Sequence, residues 1–229
     1  MKNLFKSIKP VEWGIWGLSI VCIIVCFFAF NNTQYHYLIG SLIGITALVF
    51  VSKGNPLGQI LTVVFSVFYG IISYSCKYYG EMITYLAMTA PMAVAALISW
   101  IRNPSKENKS EVAVNKLSVK EWCLFVVLCI AVTAAFYFVL RALNTANLII
   151  STVSVFTSFA ASYLTARRSR FYAIGYAAND IVLVVMWILQ TLSDITYLPM
   201  IVCFAAFLAL DIYGFVNWSK MLRKQNENY

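Results

Sequence analysis

Apolar residues run along this chain in eight blocks, near 12–30, 35–51, 57–75, 82–100, 120–141, 146–165, 170–190 and 196–218. Each is close to the ~20 residues a helix needs to cross a bilayer, so the pattern predicts an all-α polytopic membrane protein with eight transmembrane helices. The longest polar stretch, IRNPSKENKSEVAVNKLS at 101–118, separates two sets of four spans. Shifting the first set by about 117 residues lays Gly58 on Gly175, Gln59 on Tyr176, Thr62 on Asn179 and Ser73 on Gln190, and one more step lays Trp100 on Trp218. An even number of spans per half gives both halves the same orientation. Parallel repeats of this kind are a recurrent transporter design, with the site between them near the midplane.

Polar residues inside the spans recur at helical spacing. Gln59, Thr62, Ser66, Tyr69 and Ser73 make one stripe down the third span, and Tyr176, Asn179 and Gln190 lie on the matching face of the seventh. A third stripe runs through Asn147, Ser151, Ser154, Ser158, Ser162 and Thr165. Serines at four-residue spacing either let helices approach closely in lipid or line a cavity. The bulkier Gln59, Tyr69, Tyr176, Asn179 and Gln190 are read as lining a site.

Asn179 and the adjacent Asp180 lie at the middle of the seventh span, and Asp211 lies in the eighth. An ionisable residue at bilayer depth costs at least about 2.5–3.5 kcal/mol on insertion scales, so it faces a bundle interior and marks a pathway or a site. Neither aspartate has a lysine or arginine at its depth. Each is protonated, hydrogen-bonded to hydroxyls and amides, hydrated, or matched by a cation that enters. A purely structural bond to neighbouring hydroxyls is the competing reading. Trp187, close to this pair, is placed to stack on a flat ring. Tyr37, Tyr78, Tyr79 and Tyr197 have the positions of an interfacial belt, and His36 is given no role.

Composition agrees with this picture: 61% of the 229 residues are hydrophobic and 11% charged. With the N terminus in the cytoplasm, the cytoplasmic side receives fifteen of the seventeen basic residues: Lys2, Lys6, Lys9, Lys53, Arg102, Lys106, Lys109, Lys116, Lys120, Arg167, Arg168, Arg170, Lys220, Arg223 and Lys224. Lys77 and Arg141 fall on the other side, so both termini are cytoplasmic by the positive-inside rule. The net charge of +8 thus reports topology and contact with anionic headgroups, not nucleic-acid binding. The first span is too long for a signal peptide and has no A-x-A site after it. The six cysteines form no C-x-x-C pair and read as small buried side chains. There is no phosphate loop, no H-E-x-x-H and no G-x-S-x-G, which argues against an ATP-driven pump, a metalloprotease or a serine hydrolase. No cofactor is implied. Selective passage of a small molecule remains, with proton coupling through Asp180 or Asp211 as a competing mechanism.

The SKGNPLGQ entry to the third span, the GEMITYLAMTAPMAVAALISW fourth span and the RFYAIGYAANDIV seventh span resemble the PnuC family of bacterial nicotinamide riboside transporters. The resemblance covers about residues 35–218. It implies a fold related to the SWEET transporters: an extra N-terminal span in 1–34, a three-helix bundle at 35–100, a loop and linker helix at 101–145, a second bundle at 146–218 and a cytoplasmic tail at 219–229. It further implies facilitated diffusion of a nucleoside-like vitamin across the bacterial inner membrane, with a cytoplasmic kinase trapping the substrate, and a homotrimer. The family's W-x-x-x-N motif reads Gly175-Tyr-Ala-Ala-Asn179 here, so the asparagine carries over and the tryptophan does not; Tyr172 and Tyr176 offer an aromatic face nearby. Related branches handle thiamine, riboflavin or deoxyribonucleosides, and these stay open as substrates. The expected binding residues are Asn179, Asp180, Gln190, Trp187, Tyr176, Tyr172 and Asp211 from the second half, with Gln59, Ser66 and Tyr69 from the first.

Overall fold

A computed structural model describes residues 9–30, 35–145 and 147–227. Lys2 and Lys6, counted above for topology, and Ala146, where the second bundle is expected to begin, lie outside the described residues. The eight apolar blocks form eight long helices. These are α1 (Pro10–Phe30), α2 (Tyr35–Ser52), α3 (Leu57–Ser75), α4 (Tyr79–Arg102), α5 (Val119–Ala142), α6 (Leu148–Ala166), α7 (Tyr172–Thr191) and α8 (Leu198–Glu227).

Two boundaries differ from the hydropathy pattern for physical reasons. Helix α4 starts at Tyr79 rather than 82, because Glu81 depresses local hydropathy without breaking the helix. Helix α8 continues through the tail expected at 219–229, up to Glu227. Its last turns combine strong helix formers with packing of Met221 and Leu222 onto a buried cluster. Within α4, Thr84–Thr89 forms a π-turn just before Pro91. Proline lacks an amide and its ring crowds the carbonyl four residues back, and widening the preceding turn relieves both problems.

Six helices close a ring in the order α2, α3, α4, α6, α7, α8 and back to α2; α1 packs outside the α8–α2 seam and α5 packs on α6. The equivalent glycines of the repeat do the same job in each half. An alanine methyl at Gly58 would lie 2.6 Å from Val51 N of α2, and one at Gly175 would lie 2.8 Å from Ala161 Cα of α6. Each thus lets the middle helix of its half press onto the helix before it.

At the basic end of the ring the loop 103–117 is docked, not slack. Pro104 and Val112 form an antiparallel bridge, Val112 N–H donates to Gly54 O at 2.9 Å, and Asn115 N–H donates to Arg168 O at 2.9 Å. Val112 is fully buried. Helix α5 then begins with a capping box, Ser118 and Glu121 bonding each other's backbone amides, and Glu121 also pairs with Arg167. A second polar knot anchors α1. Glu12, buried, accepts from Lys53 Nζ at 3.0 Å and from Tyr213 Oη at 2.8 Å, and Lys9 Nζ donates to Asn217 Oδ1 at 3.0 Å. Neither acid was singled out in the sequence, because both sit near span ends where a charge is unremarkable.

The cysteine expectation holds for half of them: Cys76, Cys129 and Cys203 are buried, whereas Cys22 and Cys123 lie on the outer, exposed surface of α1 and α5 and Cys26 is partly exposed.

A candidate substrate chamber between two aromatic plugs

Residues from α2, α3, α4, α7 and α8 enclose a cavity at the centre of the ring. Its polar wall is Gln59, Thr62, Tyr85, Thr89, Tyr176, Asn179, Asp180 and Asp211, and Phe65 and Phe207 supply apolar faces. Tyr85 and Thr89 are delivered by the π-turn of α4, a distortion often found at functional sites. The space open to the centres of water molecules is about 40 Å³. That volume holds roughly three waters, so the ring must widen before anything as large as a nucleoside can enter.

Among the described side-chain hydrogen bonds, Asn179 takes part in more than any other polar group on this wall. Its Oδ1 accepts from Thr157 Oγ1 and Ser158 Oγ, both at 2.9 Å, and from Ser154 Oγ at 3.4 Å. The serine stripe of α6 is therefore neither simple packing nor direct cavity lining: part of it orients Asn179. With Oδ1 saturated, the amide nitrogen is the group left to donate, and Tyr85 stands within its reach. Asp180 of α7 and Asp211 of α8 are buried neighbours on the same cavity wall. Like charges on two neighbouring buried carboxyls repel, which favours one proton held between them. Both are buried, each has an Oδ2 with no donor, and among the described residues neither forms an ion pair.

Five of the expected binding residues, Gln59, Tyr176, Asn179, Asp180 and Asp211, meet at this cavity. The other five do not line it. Trp187 donates its Nε1–H to Tyr69 Oη at 3.0 Å, and both are buried away from the chamber. Ser66 returns its hydroxyl to Thr62 O of its own helix at 2.8 Å. Tyr172 packs on Trp218 at 4.7 Å between ring centroids, at the basic end. Gln190 is half-buried, one residue from the end of α7. Each stripe runs from the chamber toward the far plug, and only its first members, Gln59 and Thr62 of α3 and Tyr176 and Asn179 of α7, face the cavity. Tyr85, Thr89, Phe65 and Phe207 were missed. They lie in sequence that reads as ordinary apolar span, and nothing in their spacing announces the π-turn.

The far end of the ring is closed by rings. Tyr69 contacts Phe65, Tyr85, Trp187 and Phe204, and Trp187 in turn contacts Tyr78 and Tyr197. Tyr37 and Tyr78, expected in an interfacial belt, belong to this plug instead. Tyr78 Oη donates to Met186 O at 3.2 Å, Tyr37 Oη lies 3.4 Å from Cys76 Sγ, and both tyrosines are buried.

The basic end is closed by a reciprocal pair. Trp100, ending α4, donates its Nε1–H to Thr165 O at the end of α6; Trp218, near the end of α8's membrane part, donates to Val51 O at the end of α2. Both bonds are 3.0 Å, both rings are buried, and their centroids are 5.3 Å apart. The repeat-equivalent tryptophans thus fasten the two seams of the ring, each reaching from one half to the other.

A ring of membrane-spanning helices around a polar chamber, sealed above and below, defines a small-molecule transporter. The family model for the nicotinamide mononucleotide transporter matches residues 34–220, and the chain belongs to that family. It is 24% identical over 229 residues to the nicotinamide riboside transporter PnuC of Neisseria mucosa, covering 98% of this chain and 87% of the relative. It is 25% identical over 219 residues to the nicotinamide riboside transporter PnuC of Haemophilus influenzae, covering 95% and 93%. A crystal structure of the vitamin B3 transporter PnuC shares the fold, with a TM-score of 0.83 at 23% identity, covering 95% of this chain and 94% of the other.

The similarity also sharpens the Gly175 position. A methyl there would already meet Ala161 backbone atoms at 2.8 and 3.0 Å. No tryptophan fits between α7 and α6 in this protein, and the aromatic faces of the chamber come from Tyr85, Tyr176, Phe65 and Phe207 instead.

Proposed function

We propose that this protein carries nicotinamide riboside, or a closely related nucleoside-like vitamin, across the bacterial inner membrane by facilitated diffusion. The observation that carries the reading is Asn179, held by three α6 hydroxyls with its amide nitrogen left to face Tyr85 on the wall of a central chamber. The relatives named as nicotinamide riboside transporters supply the substrate class. Asn179, Tyr85, Gln59 and Tyr176 bind the amide and sugar hydroxyls, while Phe65 and Phe207 flank the ring.

Alternating access follows from the seams. The halves 35–100 and 147–218 meet at α4–α6 and α8–α2, and rocking about these contacts opens one plug at a time. The basic end faces the cytoplasm by the positive-inside rule, and the homotrimer is what the family resemblance implies. The protein moves its substrate and does no chemistry on it.

Uptake of labelled nicotinamide riboside into proteoliposomes tests this. Entry down its own gradient, saturable and absent from empty vesicles, is the expected result; no uptake above empty vesicles refutes it. The neighbouring buried carboxyls of Asp180 and Asp211 favour a second reading, proton-coupled transport. An imposed pH gradient that accelerates uptake or drives it uphill would replace facilitated diffusion with that mechanism.

A further inference from the structure

Glu81 is fully buried, in the first turn of α4, and neither of its carboxylate oxygens has a hydrogen-bond donor. A buried carboxylate without partners is costly enough to call for an explanation. Capping of α4 does not supply one. The carboxylate accepts nothing from the first-turn amides, and the Tyr78 amide donates to Ser73 O. Among the described residues no lysine or arginine pairs with it. Ser154 adjoins it, but the serine hydroxyl is directed at Asn179 Oδ1. Thr84 and Ser73, both fully buried, also have hydroxyls without partners. Gly70 seats α3 on Leu86, and this antiparallel pairing brings Ser73 level with the Glu81–Thr84 turn.

Glu81 is one side chain removed from the chamber on two sides. Ser154 links it to Asn179, and Tyr85, which lines the cavity, neighbours both Glu81 and Asp180. The chamber is too small for a nucleoside as it stands, and Tyr85 is the part of its wall backed by the buried, unpartnered Glu81.

We propose that Glu81 is the specificity-determining carboxylate of this transporter: when Tyr85 swings aside, it faces the fixed positive charge of an aromatic cation and selects it over a neutral ring of the same shape. The inference rests on the transport reading given above. A mobile cation suits this position better than a resident one. It satisfies the carboxylate only while bound, so the residue contributes to selection rather than to the closed state. The tyrosine faces around it, Tyr69, Tyr78 and Tyr85, add attraction for a cationic ring.

The test compares nicotinamide riboside with its 1,4-dihydro form, which has nearly the same shape and no charge. Wild-type protein in detergent should bind the cation roughly tenfold tighter, the scale of one partly screened charge–charge attraction. In Glu81→Gln the preference should fall severalfold, to what the tyrosine faces and Asp180 alone provide, with affinity for the neutral form unchanged. Glu81→Asp keeps the charge but draws it back, and should show an intermediate ratio; it also decides the matter if Glu81→Gln does not fold. An unchanged ratio in the variants overturns this inference alone. Wild type that binds neither form overturns the proposed function and this inference with it.

Discussion

Gly175→Ala is the smallest change that strikes both packing and site. The added methyl would sit 2.8 Å from Ala161 Cα, 3.0 Å from its N and 3.1 Å from its Cβ. Carbon atoms in good contact are about 3.5–4.0 Å apart, so α7 must back away from α6 by roughly 1 Å at this level. Asn179 lies one turn further along the same helix, held to Thr157 and Ser158 by 2.9 Å bonds. Half of that displacement stretches both bonds to about the limit of hydrogen bonding. Overpacking costs about 1–3 kcal/mol, and each weakened bond about 0.5–1.5 kcal/mol. The expected loss is thus about 2–6 kcal/mol in unfolding experiments on purified protein, with substrate affinity down roughly tenfold. Combining Gly175→Ala with Asn179→Ala isolates the mechanism. If the glycine acts through Asn179, the double variant binds no more weakly than Asn179→Ala alone. Full additivity of the two, or wild-type stability in Gly175→Ala, refutes the reasoning.

Other consequences follow from the same geometry. Trp100→Phe and Trp218→Phe each remove one of the reciprocal bonds. Each should lower stability by about 1 kcal/mol, and thermal unfolding that shows one costly and the other silent contradicts the two-fold relation of the halves. Lys53→Met leaves Glu12 buried without its ion-pair partner, at a cost of about 3–5 kcal/mol; adding Glu12→Gln should recover much of the loss in monodisperse yield. For topology, cysteines placed at the exposed Asn108 and Ser193 should react with an impermeant maleimide from opposite sides of the membrane, Asn108 from the cytoplasm.

The sequence made the helices legible because bilayer thickness sets their length, and hydropathy alone located α3 to the residue. It made the repeat legible through Gly58, Gly175, Trp100 and Trp218, although what these pairs do, close packing and seam fastening, required coordinates. Asn179 and Asp180 stood out because polarity at mid-membrane is expensive. Glu81 did not, since it lies at the edge of an apolar block where hydropathy reads a loop. The π-turn was equally hidden, and with it Tyr85 and Thr89, because widening one turn changes which residues face inward without changing composition. Trp187 and Tyr69 show the opposite error. Tyr69 had the spacing of the stripe and Trp187 follows the Asn179–Asp180 pair, but they satisfy each other within the plug, and periodicity carries no information about depth along the ring.

The central claim is that Asn179, fixed by the α6 hydroxyls, binds the substrate in this chamber. Calorimetric titration of nicotinamide riboside into purified wild-type and Asn179→Ala protein tests it most directly. The account predicts saturable binding to wild type and affinity at least roughly tenfold weaker in the variant, for the loss of one buried donor. Equal affinity in a folded Asn179→Ala protein would contradict it.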